Sequence, residues 1–285
     1  MNIFKAIGRG ISNALCFLVY IIALFFCKIF LRCKIIGKEN LNKNNGKIKM
    51  IVSNHMQIYG PTAMHIRLPI RKKAVWINEK MMDRDKIEHE MGLAIYDENN
   101  YKWAPKWLKK FVIKISKNLV YFVLKYKVHG ISISRDNRRE LINTFKETLE
   151  YTDKGYSIVV FPEVDYQDEG IGEIFSGFAS YAKFAHKKNG QITEFYPVYI
   201  DGKSKRMYIG KPIDFNPENA DYDTEISTYI KNEINNLYLI AKEKHKKKSK
   251  KNKKDTQNIN EAENIIDKEN LNENENNINE NASQK

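Results

Sequence analysis

Residues 48–55 read IKMIVSNH, and the rest of the chain is best placed relative to them. The run Ile48–Ser53 is short and rich in Ile and Val, which predicts a strand, and Asn54 and His55 then stand at its end. Four more runs have the same character: KAVWI at 73–77, SIVVF at 157–161, TEFYPVYI at 193–200 and KRMYIG at 205–210. Between them, DNRRELINTFKETLEYTD at 136–153 places Leu141, Ile142, Phe145 and Leu149 on one helical face, and Gly155 follows as a stop. Residues 175–187 and 221–243 also predict helices. Strands separated by helices make an α/β body, a sheet with helices on its flanks.

Outside that body the chain changes character at both ends. Residues 14–27, ALCFLVYIIALFFC, are continuously apolar, and the run reaches Leu31 with only Lys28 intervening. As a helix, 14–31 is about 27 Å long at ~1.5 Å per residue, just short of the ~30 Å hydrocarbon core. Lys5 and Arg9 precede it, as in a signal peptide, but Lys28, Arg32 and Lys34 stand where the small residues of a cleavage site belong. Residues 1–32 are therefore expected to be an uncleaved membrane anchor. Basic residues flank both of its ends, so charge does not set its orientation. At the other end, Lys242–Lys254 holds nine lysines and one glutamate, and 255–285 holds ten asparagines, eight acids and two lysines. That composition predicts a disordered tail over 242–285 and leaves 33–241 as the folded domain.

The whole chain of 285 residues carries a formal charge of +13. With the lysine block (+8) and the acidic tail (−6) set aside, the first 241 residues still carry +11. A basic body suits an anionic partner, a phospholipid surface or nucleic acid. The tail lacks the interleaved aromatic residues of a single-strand binder, so no specific nucleic acid is expected. A content of 42% hydrophobic and 12% aromatic residues excludes wholesale disorder. Cys16, Cys27 and Cys33 all lie near the start with no CxxC pair, which argues against a disulfide scaffold or a zinc ribbon. Residues 105–125, PKWLKKFVIKISKNLVYFVLK, form a basic amphipathic helix. Leu108, Phe111, Val112, Ile115, Leu119, Phe122 and Val123 share one face, and Trp103 and Trp107 suit a lipid boundary. Such a helix either lies in an anionic membrane interface or faces an ordinary core with its lysines in water.

Four segments carry candidate chemistry. His55 at a strand end, where α/β sheets bind ligands, is suited to act as a general base toward a hydroxyl. Gly130-Ile-Ser-Ile-Ser-Arg135 sets an arginine before helix 136–153, close to a helix N-terminus that favours phosphate. Phe161-Pro162-Glu163 puts a carboxylate at another strand end, and Pro197 lies inside the run 193–200, as suits an edge strand. In this order the segments resemble the glycerolipid acyltransferase family, whose best-known members are the 1-acylglycerol-3-phosphate acyltransferases. That family's signature is Asn-His followed after four residues by Asp; then Gly, four residues and Arg; then Phe-Pro-Glu-Gly; then a strand proline. Ile36–Leu41, Phe175–Ala179 and Gly210–Ile213 resemble the segments that surround those motifs.

The resemblance spans roughly 33–215 and implies an acyltransferase-like mixed sheet. It implies transfer of a fatty acyl group from acyl carrier protein or acyl-CoA to a lysophospholipid, with no metal or tightly bound cofactor. By that resemblance His55 is the catalytic base, while Asn54, Gly130, Arg135, Phe161, Pro162 and Glu163 shape the acceptor site. The active domain is then expected on the cytoplasmic side of the membrane, with membrane phospholipid and the acyl donor as partners. The chain departs from the signature where it matters chemically. Gly60 stands in place of the motif Asp, residues 56–64 hold no acid at all, and Val164-Asp165 follows Phe-Pro-Glu. In a Ser-His-Asp triad, neutralising the acid lowers turnover about 10⁴-fold. The alternative to an enzyme is therefore a weak or inactive relative that binds lipid or a lipid enzyme. Glu163, Asp165 and Asp168 are the nearby carboxylates that could substitute for the missing one. The tail enters neither reading. Truncation after Ala241 is expected to leave folding and acyl transfer unchanged, while salt-sensitive binding to anionic vesicles falls with the nine lysines; loss of transfer at saturating substrate would put the tail in the catalytic machinery.

Overall fold

The run 48–53 forms strand β2 (Ile48–Ser53), which lies in the middle of a seven-stranded sheet. The computed structural model describes residues 2–41, 45–96, 104–134, 137–164, 170–214, 218–219 and 221–246. The other strands are β1 (Lys34–Ile36), β3 (Lys73–Asn78), β4 (Gly130–Ile133), β5 (Ser157–Val160), β6 (Thr193–Asp201) and β7 (Arg206–Ile209), in the order β1-β7-β6-β2-β5-β3-β4. β6, β2, β5, β3 and β4 run parallel; β7 is antiparallel to β6 and carries β1 parallel to itself. The sheet is mixed, and its five parallel strands end on one common edge. β2 is buried except at Lys49, as expected for a parallel strand covered on both faces, and this explains its lack of polar alternation.

Helices supply the two covers. On one face, Ala63 and Met64 of α2 (Tyr59–Arg67), with Leu68 just after it, pack on Ile51, Val159, Val198 and Ile200. Successive strand residues point to opposite faces, so Trp76 and Phe195 address the other cover. There the Trp76 ring stacks on Phe145 of α5 (Arg138–Asp153), 6.1 Å between centroids, and meets Tyr181 of α6 (Gly177–Asn189) edge-on at 6.1 Å. Its indole N–H donates to Thr148 Oγ1 at 3.0 Å. Phe178 of α6 meets Phe195 edge-on at 5.8 Å. Residues 222–238 form a further helix. The chain divides into two compact units, Met1–Tyr238 and Leu239–Lys285. Of the second unit, 239–246 are described, as helix, and the tail segment from 247 onward lies outside the described residues.

Several local expectations change. Gly60 and Pro61 sit within the first turn of α2, where a missing N–H costs nothing because that donor lacks an intrahelical partner anyway. Pro197 is on an interior strand, β6, and not on an edge. Its carbonyl accepts from Gly210 N at 2.8 Å, so its ring nitrogen faces the β7 side just beyond the end of β7. The ladder with β2 on the other side is untouched. β1 and helix α3 (Ile87–Tyr96) had no counterpart in the sequence reading. Helix α4 (Lys106–Phe122), which passes into a π-helical turn at Val123–Lys127, does not turn the apolar face read from its sequence into a core. Ile113 and Tyr121 pack against Ile87 and Met91 of α3, whereas Trp107, Phe111, Val112 and Ile115 are exposed.

Because the Trp76 cluster joins β3 to both α5 and α6, Trp76→Ala is expected to cost about 3–5 kcal/mol. Urea unfolding of the detergent-solubilised protein checks this, and a loss below about 1 kcal/mol would mean that the cluster is not core.

Candidate active site

The parallel strands bring their C-terminal ends to one edge, and the chemistry-bearing segments stand there. Asn54 is 2% exposed and ends β2 with its own side chain. Its amide nitrogen donates to the Ile200 carbonyl at 3.1 Å, and its Oδ1 accepts the Ile200 N–H at 2.7 Å. The carboxamide thus takes the place of the next peptide group of β2 in the ladder with β6, and the main chain is released outward at His55. Both buried backbone groups of Ile200 are satisfied without another strand residue.

His55, exposed to solvent, is held from its other flank by the end of β5. Its backbone N–H donates to Glu163 Oε2 at 2.5 Å, and its carbonyl accepts the Gln57 N–H at 2.9 Å. Phe161 meets the imidazole edge-on, 5.2 Å between centroids. Gln57 is in the left-handed region, φ 45°, a strained conformation for a residue with a Cβ and one concentrated at functional turns. Glu163 is buried, and its loop is braced by a short antiparallel ribbon. In that ribbon Phe175 N–H donates to the Pro162 carbonyl at 2.8 Å and Val164 N–H to Glu173 O at 2.9 Å. Burial pushes the Glu163 carboxyl above its ordinary value of 4.5, against the pull of the N–H groups of His55 and Gly172.

Other singled-out residues fall elsewhere. Gly130 begins β4, at the end of that strand remote from the edge just described. A Cβ there would meet the Leu124 carbonyl at 2.8 Å and Ile77 Cδ1 at 2.7 Å, so close packing accounts for this glycine. Arg135, Asp165 and Asp168 lie outside the described residues. α5 begins three residues after Arg135, capped by the Asn137 side chain, which accepts the Arg139 N–H at 3.0 Å. Gly60 has an ordinary backbone, not a left-handed one, and a Cβ there would lie 3.2 Å from Met56 Cβ and 3.8 Å from Ile200 Cδ1. Ile200 and Gln57 shape the site, yet nothing in the sequence marks them. Ile200 acts through its main chain alone, and a left-handed Gln has no compositional sign. Among the described residues no three His, Cys, Asp or Glu side chains gather as a metal site.

No protein-family model matches the chain, and no curated protein matches it in sequence. Among solved structures, the crystal structure of the 1-acyl-sn-glycerophosphate (LPA) acyltransferase PlsC from Thermotoga maritima is similar to 75% of this chain over 73% of its own. The identity is 14% and the TM-score 0.46.

The raised Glu163 carboxyl gives a signed pH expectation. The folded state holds that proton more tightly than the unfolded one, so this group makes stability fall as pH rises from about 4.5 through the raised folded value. Glu163→Gln keeps an acceptor for the His55 N–H and is expected to flatten that fall. Glu163→Ala is expected to lose about 1–3 kcal/mol at every pH by leaving the N–H unmet. Thermal unfolding from pH 4 to 8 checks both, and an unchanged pH slope in Glu163→Gln would contradict them.

Proposed function

We propose that this chain transfers a fatty acyl group from acyl carrier protein or acyl-CoA to the free hydroxyl of a lysophospholipid such as 1-acylglycerol-3-phosphate. The observation that carries the reading is the meeting of two distant segments. Asn54-His55 and Phe161-Pro162-Glu163, 108 residues apart between His55 and Glu163, converge on one edge with the imidazole exposed between them. The ordered likeness of these segments to the glycerolipid acyltransferase signature supplies the reaction. His55 takes the proton of the acceptor hydroxyl as its oxygen attacks the thioester carbonyl. The C–S bond then breaks, and the leaving sulfur takes up the proton from the imidazolium. The products are the new ester and a free thiol, and no metal or tightly bound cofactor takes part.

In this reading Asn54 and Glu163 are positioning residues, each acting on the main chain around His55. Arg135, just ahead of the N-terminus of α5, holds the acceptor's phosphate. The membrane supplies the acceptor, and the domain faces the cytoplasm, where the acyl donor is found. One observation favours a second reading, a weak or inactive relative that binds lipid. Gly60 stands where the signature has the acid that steadies the imidazolium.

Acyl transfer and lipid binding separate the two. His55→Ala is expected to lower thioester release with a lysophospholipid acceptor by about 10²-fold or more while leaving vesicle binding unchanged. Gly60→Asp is expected to raise release if Met56 yields the few tenths of an ångström its Cβ requires. Release that is indifferent to His55→Ala would leave the lipid-binding relative standing.

A further inference from the structure

His55 is held by Glu163, and the loop that carries Glu163 is itself held from outside. The Glu163 carboxylate accepts the N–H of Gly172 as well as that of His55, so one side chain joins the ribbon of residues 162–164 and 172–175 to the histidine. The ribbon has only two main-chain bonds, Val164 N–H to Glu173 O and Phe175 N–H to Pro162 O. Two short strands alone are marginally stable in water. Their outer support comes from the helix of residues 222–238.

Tyr222, Ile226, Ile230 and Ile234 recur every four residues on one face of that helix and are buried. Near its start Asp223 accepts the Ser180 hydroxyl of α6, and near its end the Tyr238 ring meets Tyr199 of β6 edge-on at 5.6 Å. The helix is thus tied to α6 at one end and to β6 at the other without help from the loop. Lys231 and Asn235, one turn apart, meet the loop. Asn235 Oδ1 accepts the Ile171 N–H at 3.0 Å, and its amide nitrogen donates to the Ile171 carbonyl at 3.4 Å. Ile171 is buried, so both of its main-chain groups need partners other than water. Asn54 holds Ile200 in the same way, with a carboxamide in place of a strand neighbour. Gly170 permits the approach: its φ is 73°, and a Cβ there would lie 2.4 Å from Asn235 Oδ1. Lys231 pairs with Glu173 at 2.6 Å, but Glu173 is exposed, where such a pair contributes little.

We propose that Asn235 is a positioning residue for His55. It fixes Ile171, the adjoining Gly172 holds Glu163, and Glu163 holds the N–H of His55. The helix of residues 222–238 thereby sets where the imidazole stands. The effect of Asn235 on catalysis presupposes the acyl-transfer reading; its effect on the main chain of His55 does not.

Amide hydrogen exchange and thioester turnover, both on the detergent-solubilised full chain, test this together. In Asn235→Ala, exchange at His55 and Val164 is expected to quicken about tenfold, the scale of one lost hydrogen bond, while Ile51 in the middle of the sheet exchanges as before. Turnover is expected to fall by about 10- to 10²-fold in kcat with KM unchanged, because Asn235 reaches the site only through the main chain. Asn235→Asp keeps the acceptor for the Ile171 N–H and is expected to retain most of the native behaviour in both measurements. In the Glu163→Ala background, Asn235→Ala is expected to lower turnover no further. Should Asn235→Ala fail to fold, Gly170→Ala, which forces the same carboxamide aside, is read in its place. Quickened exchange at Ile171 with His55 unchanged, or quickening throughout the sheet, would overturn the proposal. A native chain that releases no thioester would end the acyl-transfer reading and leave the exchange result to decide the role of Asn235.

Discussion

At the centre of the sheet, one carboxamide determines where the chain stops being a strand. Were β2 to continue with its main chain, the residue at 55 would join the ladder beside Ile200, and its side chain would be committed to a face of the sheet. Asn54 instead supplies both hydrogen bonds that Ile200 requires from this side, at 2.7 and 3.1 Å. The main chain is freed one residue early, and the buried peptide group of β6 still has its partners. What Asn54 does toward β6, Glu163 does toward β5, by accepting the N–H that the departing chain would otherwise leave unmet. The imidazole therefore stands at a fixed point between two neighbouring strands, which is what a general base needs more than a particular pKa.

The second constraint is the apolar face that α1 (Asn2–Phe30) leaves exposed. Phe25, Phe26, Ile29 and Phe30 are each more than half exposed. A row of this kind is costly in water and ordinary in hydrocarbon. The contacts of α1 with His65, Arg67 and Lys127 run lengthwise along the helix. The Tyr59 hydroxyl, four residues after His55, donates to the Arg32 carbonyl at 3.0 Å, so the chain leaving α1 is tied to the loop that presents the histidine.

Much of this was legible in the sequence for identifiable reasons. Runs such as SIVVF and IKMIVS declare strands because β-branched residues over so short a span have few alternatives, and strand ends then mark where functional side chains emerge. Helix 136–153 was readable from its spacing of Leu141, Phe145 and Leu149. β1 is three residues, Lys-Ile-Ile, too short to register as a pattern. α3 is unremarkable in composition and takes its stability from Ile113 and Tyr121 of the following helix, a tertiary fact. Pro197 suggested an edge because local rules treat proline as a broken ladder; its nitrogen faces the one side where the neighbouring strand has just ended, which only the register reveals. Gly130 carried a motif, but the space it vacates is filled by the Leu124 carbonyl. Asn54 was marked by its motif, yet its partner is the main chain of a residue 146 positions away, which no spacing rule reaches.

The central claim is that His55 acts, and that Asn54 matters to the chemistry only by holding it. A double-mutant cycle on thioester turnover per folded molecule, with Asn54→Ala and His55→Ala singly and together, tests this most directly. The account predicts that Asn54→Ala lowers turnover in the native background and changes nothing further once His55 is gone. Equal, additive losses in the two backgrounds would contradict it and give Asn54 an effect independent of the histidine.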